Sequence, residues 1–320
     1  MNLIYNPIFL EHDTGTHPEN QNRLEGFKNL PVTDIQNSEK YLTLFHTPEY
    51  IQKIKNNRAH LFELDADTII SENTYNAAVA AVGATVMASE KDDFALVRPP
   101  GHHAYPDHSS GFCIFNNISI AVQNLINQKK RVFILDFDGH LGDGTERYFY
   151  KTDQVLYWSL HQHPAFPGWG TIDEIGDGRG EGYTLNIPLM AGSGDDVYVH
   201  ALQEFWSIPM QFRPDVVAVS AGFDGHHADS LLKLNLTTNT YYEIGKLLRS
   251  SFNHIFATLE GGYNTETLPH CIYSFLDGIN GKPNHEFEDR SESTVLIIED
   301  VETKTHILKE KLQKYWKIGK

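Results

Sequence analysis

Asp136, Asp138 and His140 follow at alternate positions on the apolar run Val132-Phe133-Ile134-Leu135 and lead into a Gly-rich turn ending at Glu146. The run predicts a buried strand, and a period of two puts the three polar side chains on one side. Two carboxylates and an imidazole crowded at the end of an apolar strand repel one another and lose solvation unless a cation joins them. A metal site is the simplest chemistry for this triplet. The plainer alternative is a strand-end turn that uses Asp and Gly only for their turn geometry.

A second chemistry competes on the same residues. Asp136-Phe137-Asp138-Gly139 resembles the first motif of haloacid-dehalogenase-type phosphatases, which implies an Asp nucleophile and an Asp acid/base around Mg²⁺. Only the remaining chain separates these possibilities.

The elements that must hold such a site alternate along the chain. Strands are expected over 2–5, 94–97, 132–135, 154–160, 183–189, 215–219 and 255–259, and helices over 24–30, 47–56, 74–89, 117–127, 196–212, 238–251 and from about 264 through 274. The Ala- and Val-rich 74–89 segment reads as a buried helix. Beyond Gly281 a polar loop is expected, then a last strand and a basic amphipathic helix over 303–316. Strands alternating with helices predict an α/β fold with a largely parallel central sheet covered on both faces, whose ligands sit outside the carboxyl ends of the strands. His102 and His103, Asp138 and His140, Ser159, Asp224, and Tyr263 each follow a different apolar run, so the polar residues converge on that one end.

The chain of 320 residues is 40% hydrophobic and 12% aromatic, enough for one large α/β domain, read here as spanning 1–320 with 281–320 packing on it or extending from it. A formal net charge of -16 argues against a nucleic-acid surface and suits cationic ligands or plain solubility. Two cysteines, Cys113 and Cys271, make neither a disulfide framework nor a thiolate cluster, which points to a reducing compartment. The first residues lack a basic n-region and a cleavage site, and no run reaches membrane-spanning length. A cytoplasmic protein without membrane or direct nucleic-acid contact is expected; the oligomeric state is open.

Asp138, His140 and Asp224 offer one nitrogen and two oxygens, an open site for Zn²⁺ or a similar ion with room for water and a substrate carbonyl. A hydrolytic site also needs a base, and His102-His103 supplies two imidazoles that titrate near neutrality, although tandem histidines on loops are often merely solvated. Tyr263 can donate its phenol hydrogen bond to a developing oxyanion, or be a core tyrosine with a satisfied hydroxyl.

With these residues in place, the chain resembles the zinc-dependent histone deacetylase and acetylpolyamine amidohydrolase superfamily, of the arginase-deacetylase fold. The motifs run in order from HPENQNRL through RPPGHHA, SGFCIFNN, DFDGHLGDGTE, WSLHQ and SAGFD to LEGGYN, ending at Asn264. The phosphatase resemblance fails because its threonine after Asp-Gly is replaced by His140. The resemblance implies a zinc-dependent amidohydrolase, with Fe²⁺ as an alternative metal, that removes acetyl or related short acyl groups from lysine side chains of peptides or proteins. Acetylated polyamines are the alternative substrate. A non-catalytic acyl-lysine binding module would be expected to lack a ligand or the tyrosine, and an arginase-like dinuclear hydrolase would need further ligands.

Carried over residue by residue, Asp138, His140 and Asp224 match the metal ligands, His102 and His103 the histidine pair, Asp136 and Asp143 the carboxylates that orient it, and Tyr263 the transition-state tyrosine. Main-chain oxygens of Asp136, Asp138, His140 and Leu160, with the Asp136 and Ser159 side chains, match a structural K⁺ site. Gly111, Phe112 and Phe166 match the substrate tunnel, and Leu231 its mouth, where a polyamine-selective branch has glutamate and lysine deacetylases commonly have leucine. Leucine there favours an acyl-lysine substrate. The chain departs from the family pattern at Gly139, usually bulky, at Leu141, usually a second histidine, where altered packing rather than lost metal is expected, and at His226-His227, usually small residues, for which a reshaped rim, adventitious metal binding and no effect are the open alternatives.

Overall fold

A computed structural model describes residues 1–57 and 62–319; residues 58–61 and 320, which fall within the 1–320 span expected above, lie outside the described residues. The strands in chain order are β1 (Leu3–Ile4), β2 (Phe62–Glu63), β3 (Ile69–Ile70), β4 (Phe94–Ala95), β5 (Val132–Asp136), β6 (Val155–Gln162), β7 (Thr184–Leu189), β8 (Val216–Ala221) and β9 (Ile255–Leu259). The helices are α1 (Glu39–Leu42), α2 (Pro48–Asn56), α3 (Thr74–Lys91), α4 (Asn117–Asn127), α5 (Asp143–Phe149), α6 (Asp195–Phe205), α7 (Ser207–Phe212), α8 (Thr238–Ser251), α9 (Leu268–Ile279) and α10 (Val295–Leu312).

Seven strands form one sheet in the order β1-β4-β9-β8-β5-β6-β7, and every pairing in it is parallel. Parallel strands are buried on both faces, which is why β5, β8 and β9 read as continuous apolar runs rather than alternating ones. One group of helices contains α3 packed on α4; the other contains α8 packed on α9, with α6 against α8 and α10 against α6 and β7. The α/β class and the doubly covered parallel sheet are therefore as expected. From β5 the chain proceeds outward to β6 and β7, then returns to β8 on the other side of β5 and moves outward to β9. That reversal opens a crevice between the carboxyl ends of β5 and β8, the place where such sheets bind ligands.

Several local expectations are corrected. The segment 24–30 is a 3₁₀ helix, Gln21–Phe27, rather than an α-helix. The helix expected over 196–212 breaks at Trp206, because Pro209 has no N–H to give the carbonyl of Phe205. The strand expected before the C-terminal helix does not form: β-branched residues near its start belong to α10 itself, whose buried stripe Ile297, Val301, Thr305, Leu308 and Leu312 has helical spacing. The antiparallel ribbon of β2 and β3 adds a pair of strands that the apolar pattern does not predict.

Helix ends are fixed by side chains. Asn116 accepts the Ser119 N–H at 3.0 Å to start α4, and Thr237 accepts the Asn239 N–H at 3.3 Å to start α8. No helix of the described residues is long and apolar enough to cross a membrane.

Candidate active site

Asp138 and His140 leave the end of β5 and Asp224 leaves the end of β8, so the β5–β8 crevice brings the three together. One donor atom from each lies within 4.8 Å of the others. His140 Nδ1 is 2.8 Å from Asp224 Oδ2 and 3.3 Å from Asp138 Oδ1. Backbone N–H groups fix both carboxylates: Gly261 donates to Asp138 Oδ2 at 2.7 Å and Gly139 to Asp224 Oδ1 at 2.7 Å. The approach requires glycine at position 222, where a Cβ would lie 1.8 Å from Asp138 Oδ2.

The electrostatics of the triplet are those of a site short of positive charge. Burial opposes the charged form of His140, but Asp224 and Asp138 raise its pKa to about 10. Burial works against Asp138 as well, yet His102 and His140 hold it below the usual carboxylate range. Burial, with the charge of Asp138, pushes Asp224 up to about 6. Two buried carboxylates and one imidazole with converging donor atoms fit a divalent cation of borderline softness, which would relieve that frustration.

The loop after β4 carries the histidine pair above this floor. His102 Nδ1 meets Asp136 Oδ2 at 3.2 Å, and His103 Nδ1 meets Asp143 Oδ1 at 2.7 Å. Burial disfavours the His102 cation, but Asp138, Asp136 and Glu260 together hold its pKa well above the ordinary value. Burial and the neighbouring charge of His102 lower His103 to about 4 despite Asp143. The supporting carboxylates are themselves held: Tyr157 donates its hydroxyl to Asp136 at 3.1 Å and Tyr105 to Asp143 at 2.8 Å.

Over the pair opens a cavity of about 150 Å³. His103, His140 and Tyr263 line it together with Gly111, Phe112, Phe166 and Leu231, joined by Asp67 from the turn between β2 and β3. The rings pack edge to face, His103 on Phe166 at 5.0 Å and Phe112 on Tyr263 at 5.6 Å between centroids. Phe112 takes φ 70, a left-handed conformation that a bulky side chain adopts rarely. Burial raises the Tyr263 phenol well above its ordinary pKa, so it keeps its proton.

The remaining expected residues fall as follows. Asp136 ends β5 and is the register partner of Ser159, while Ser159 and Leu160 lie inside β6, which runs on to Gln162, two residues past the expected 154–160. At Gly139 a Cβ would sit 2.3 Å from Leu232 Cδ1, so Leu232 fills the space a bulky residue would need. Leu141 is buried, and its side chain crowds the Cβ position of Gly170. His226 and His227 do not reach the cavity. His226 Nδ1 accepts the Ala228 N–H at 3.3 Å, so Nε2 carries the proton and donates to Glu288 at 3.0 Å; Glu288 also accepts the N–H of Thr238, the first residue of α8, at 2.7 Å. Glu288 thereby ties the C-terminal segment both to the loop that carries His226 and His227 and to the start of α8.

Sequence reasoning missed three contributors. Glu260, directly after β9, accepts the N–H groups of Gly101 and His102 at 2.7 and 3.1 Å, and burial raises its pKa to about 7. Buried Arg23 donates Nε to the Gly262 carbonyl at 2.6 Å and stands 4.9 Å from the Tyr263 ring centroid. Asp67 is the third. The first two lie in the motifs LEGGYN and HPENQNRL and were legible as candidates; Asp67 sits in a ribbon with no local signature.

Comparison with known proteins accords with this geometry. The sequence profile of the histone deacetylase domain matches residues 17–279. A probable deacetylase of Archaeoglobus fulgidus is 35% identical over 308 residues, which cover 87% of this chain and 86% of the relative. The histone deacetylase-like amidohydrolase of Pseudomonas aeruginosa is 33% identical over 262 residues, covering 76% of this chain and 69% of the relative. The crystal structure of the HDA15 HD domain superposes with a TM-score of 0.88 at 28% identity, covering 98% of this chain and 96% of that one.

Proposed function

This chain belongs to the histone deacetylase family, and from that premise we propose that it is a metal-dependent deacylase that removes acetyl groups from lysine side chains at the β5–β8 crevice. The observation that carries the proposal is one cavity lined by His140, His103, Tyr263, Phe112 and Phe166, whose His140 shares its donor set with Asp138 and Asp224. A non-catalytic module has no need of that full set.

Asp138, His140 and Asp224 would hold the ion, Zn²⁺ or Fe²⁺, which when bound supplies Lewis acidity to a water and to the amide carbonyl. His103 takes the proton lost by the attacking water at Nε2, since its Nδ1 is engaged by Asp143 and its lowered pKa leaves the ring unprotonated. The histidine pair then delivers a proton to the leaving amine nitrogen as the amide bond breaks, so acetate and a free amine result. Tyr263, protonated, donates to the carbonyl oxygen as it gains charge. Phe112 and Phe166 shield the site from water and pass a straight alkyl chain. The Asp136 and Ser159 side chains, register partners on β5 and β6, with main-chain oxygens of Asp136, Asp138, His140 and Leu160, would hold K⁺, which would supply a structural positive charge.

Leu231 at the cavity mouth favours a lysine side chain on a peptide. A second reading, acetylpolyamine deacetylation, draws support from the exposed Asp67 carboxylate on the same cavity, which can attract a distal ammonium.

The test is metal analysis of the purified protein and of Asp224→Ala, with kcat/KM for acetyl-lysine peptides and for acetylated putrescine, cadaverine and spermidine. Unchanged metal content in Asp224→Ala would remove it from the ligand set. A tenfold preference for the polyamines, about 1.4 kcal/mol in transition-state binding, would overturn the lysine assignment.

A further inference from the structure

Tyr263 follows two glycines, Gly261 and Gly262, which give the backbone leading to it little rigidity of its own. Something outside that segment must set where the phenol stands, and the contacts that do so converge on Asp229. This carboxylate is only 7% exposed. Its Oδ2 accepts the N–H of Tyr263 at 2.6 Å and that of Asn264 at 3.1 Å, while Oδ1 accepts the N–H of Leu231 at 3.0 Å. Asn264 returns the tie by donating Nδ2 to the Ala228 carbonyl at 2.8 Å. The other side of the loop is held by Arg23, through the carbonyls of Gly262 and Glu260 at 2.6 and 2.5 Å.

We propose that Asp229 is a positioning residue for deacetylation: its carboxylate fixes the Tyr263 hydroxyl over the Asp138–His140–Asp224 floor and, through the Leu231 N–H, couples that hydroxyl to the mouth of the cavity. The inference rests on Tyr263 being the oxyanion donor. A carboxylate suits the task because both oxygens accept, and an ionised acceptor grips N–H groups more strongly than a neutral one. Asparagine has nearly the same shape, but it turns an NH₂ group toward N–H donors on one side or the other. One end of the tie is then lost whichever way the amide lies. Misplacing an oxyanion donor by about 1 Å costs on the order of a hundredfold in rate.

The experiment is a double-mutant cycle on the metal-loaded protein with an acetyl-lysine peptide, using Asp229→Asn, Tyr263→Phe and the pair. Asp229→Asn alone is expected to lower kcat by about 10- to 100-fold while KM moves less than about threefold and metal content stays unchanged. With the phenol hydroxyl already removed by Tyr263→Phe, adding Asp229→Asn is expected to cost less than about twofold, since nothing remains for Asp229 to position. Equal losses in both backgrounds would reduce Asp229 to a loop brace and overturn the proposal. A full-activity Tyr263→Phe would instead overturn the role of the tyrosine, a separate failure. Asp229→Glu keeps the charge on a longer arm and should recover part of the kcat lost in Asp229→Asn. If Asp229→Asn does not fold, the same cycle is run with Asp229→Glu: additive losses there overturn the proposal, and non-additive ones support it.

Discussion

The imidazoles of His102 and His103 lie 4.0 Å apart between centroids, yet each gives its Nδ1 to a different aspartate. Two rings so close cannot both be charged without strain, and their surroundings break the tie. In metal-free protein His102 is expected to remain cationic and His103 neutral throughout the neutral range, because a raised pKa keeps the proton on as pH rises and a lowered one, about 4, keeps it off until pH falls that far. ¹⁵N NMR of labelled histidine would follow both rings, and two rings titrating together near pH 6.5 would contradict the asymmetry.

Tyr263→Phe keeps the ring that packs on Phe112 and deletes one hydroxyl. The expected outcome is a loss of about a hundredfold or more in kcat with metal content and thermal stability unchanged. Steady-state kinetics beside metal analysis would check it, and retained activity would remove the oxyanion role.

Leu231→Glu places a second carboxylate on the cavity that Asp67 already lines. The variant should gain on acetylated polyamines relative to acetyl-lysine peptide by roughly 1–3 kcal/mol, most strongly at low salt. An unchanged ratio of kcat/KM values would mean that substrate amines do not pass Leu231.

Glu19 is buried between two arginines, with Oε1 accepting from Arg98 Nε at 2.5 Å and from Arg23 Nη1 at 3.0 Å. Burial alone would raise its pKa, but Arg98, His12 and Arg23 hold it well below the usual range. A depressed folded-state pKa means that the stabilisation is present above the unfolded value, about 4.3, and disappears as pH falls through the folded one. Glu19→Gln should therefore cost about 3–5 kcal/mol at pH 7 by denaturant unfolding, and the difference from wild type should shrink on acidification. A pH-independent difference would show that Glu19 acts through packing rather than charge.

The strands were legible because a doubly covered parallel sheet writes itself as short apolar runs, and the polar residues next to those runs drew attention to one end of the sheet. Asp138, His140 and Asp224 could be read this way because they come directly after apolar strand runs, the first two after β5 and the third after β8. Asp229 could not. Its partners are Tyr263 and Asn264 across the fold, and nothing local distinguishes it from an aspartate in any turn. The start of α10 reads as a strand for a related reason: Val295, Ile297 and Ile298 favour strands in isolation, and only packing on α6 and β7 decides for helix.

Helix α10 lies beyond the region that the histone deacetylase profile matches, and it packs along β7, the last strand of the sheet. Lys304 donates to the Pro188 carbonyl of that strand at 3.0 Å, and Trp316 donates its indole N–H to the Gly182 carbonyl at 2.6 Å just before it. An uncovered terminal strand is a template for pairing with another chain. The C-terminal helix and Trp316 thus cover part of that edge, and a chain ending before Val295 would keep every residue of the catalytic crevice while exposing the edge of β7 to pairing with another chain, an expectation that the aggregation of such a truncation would test.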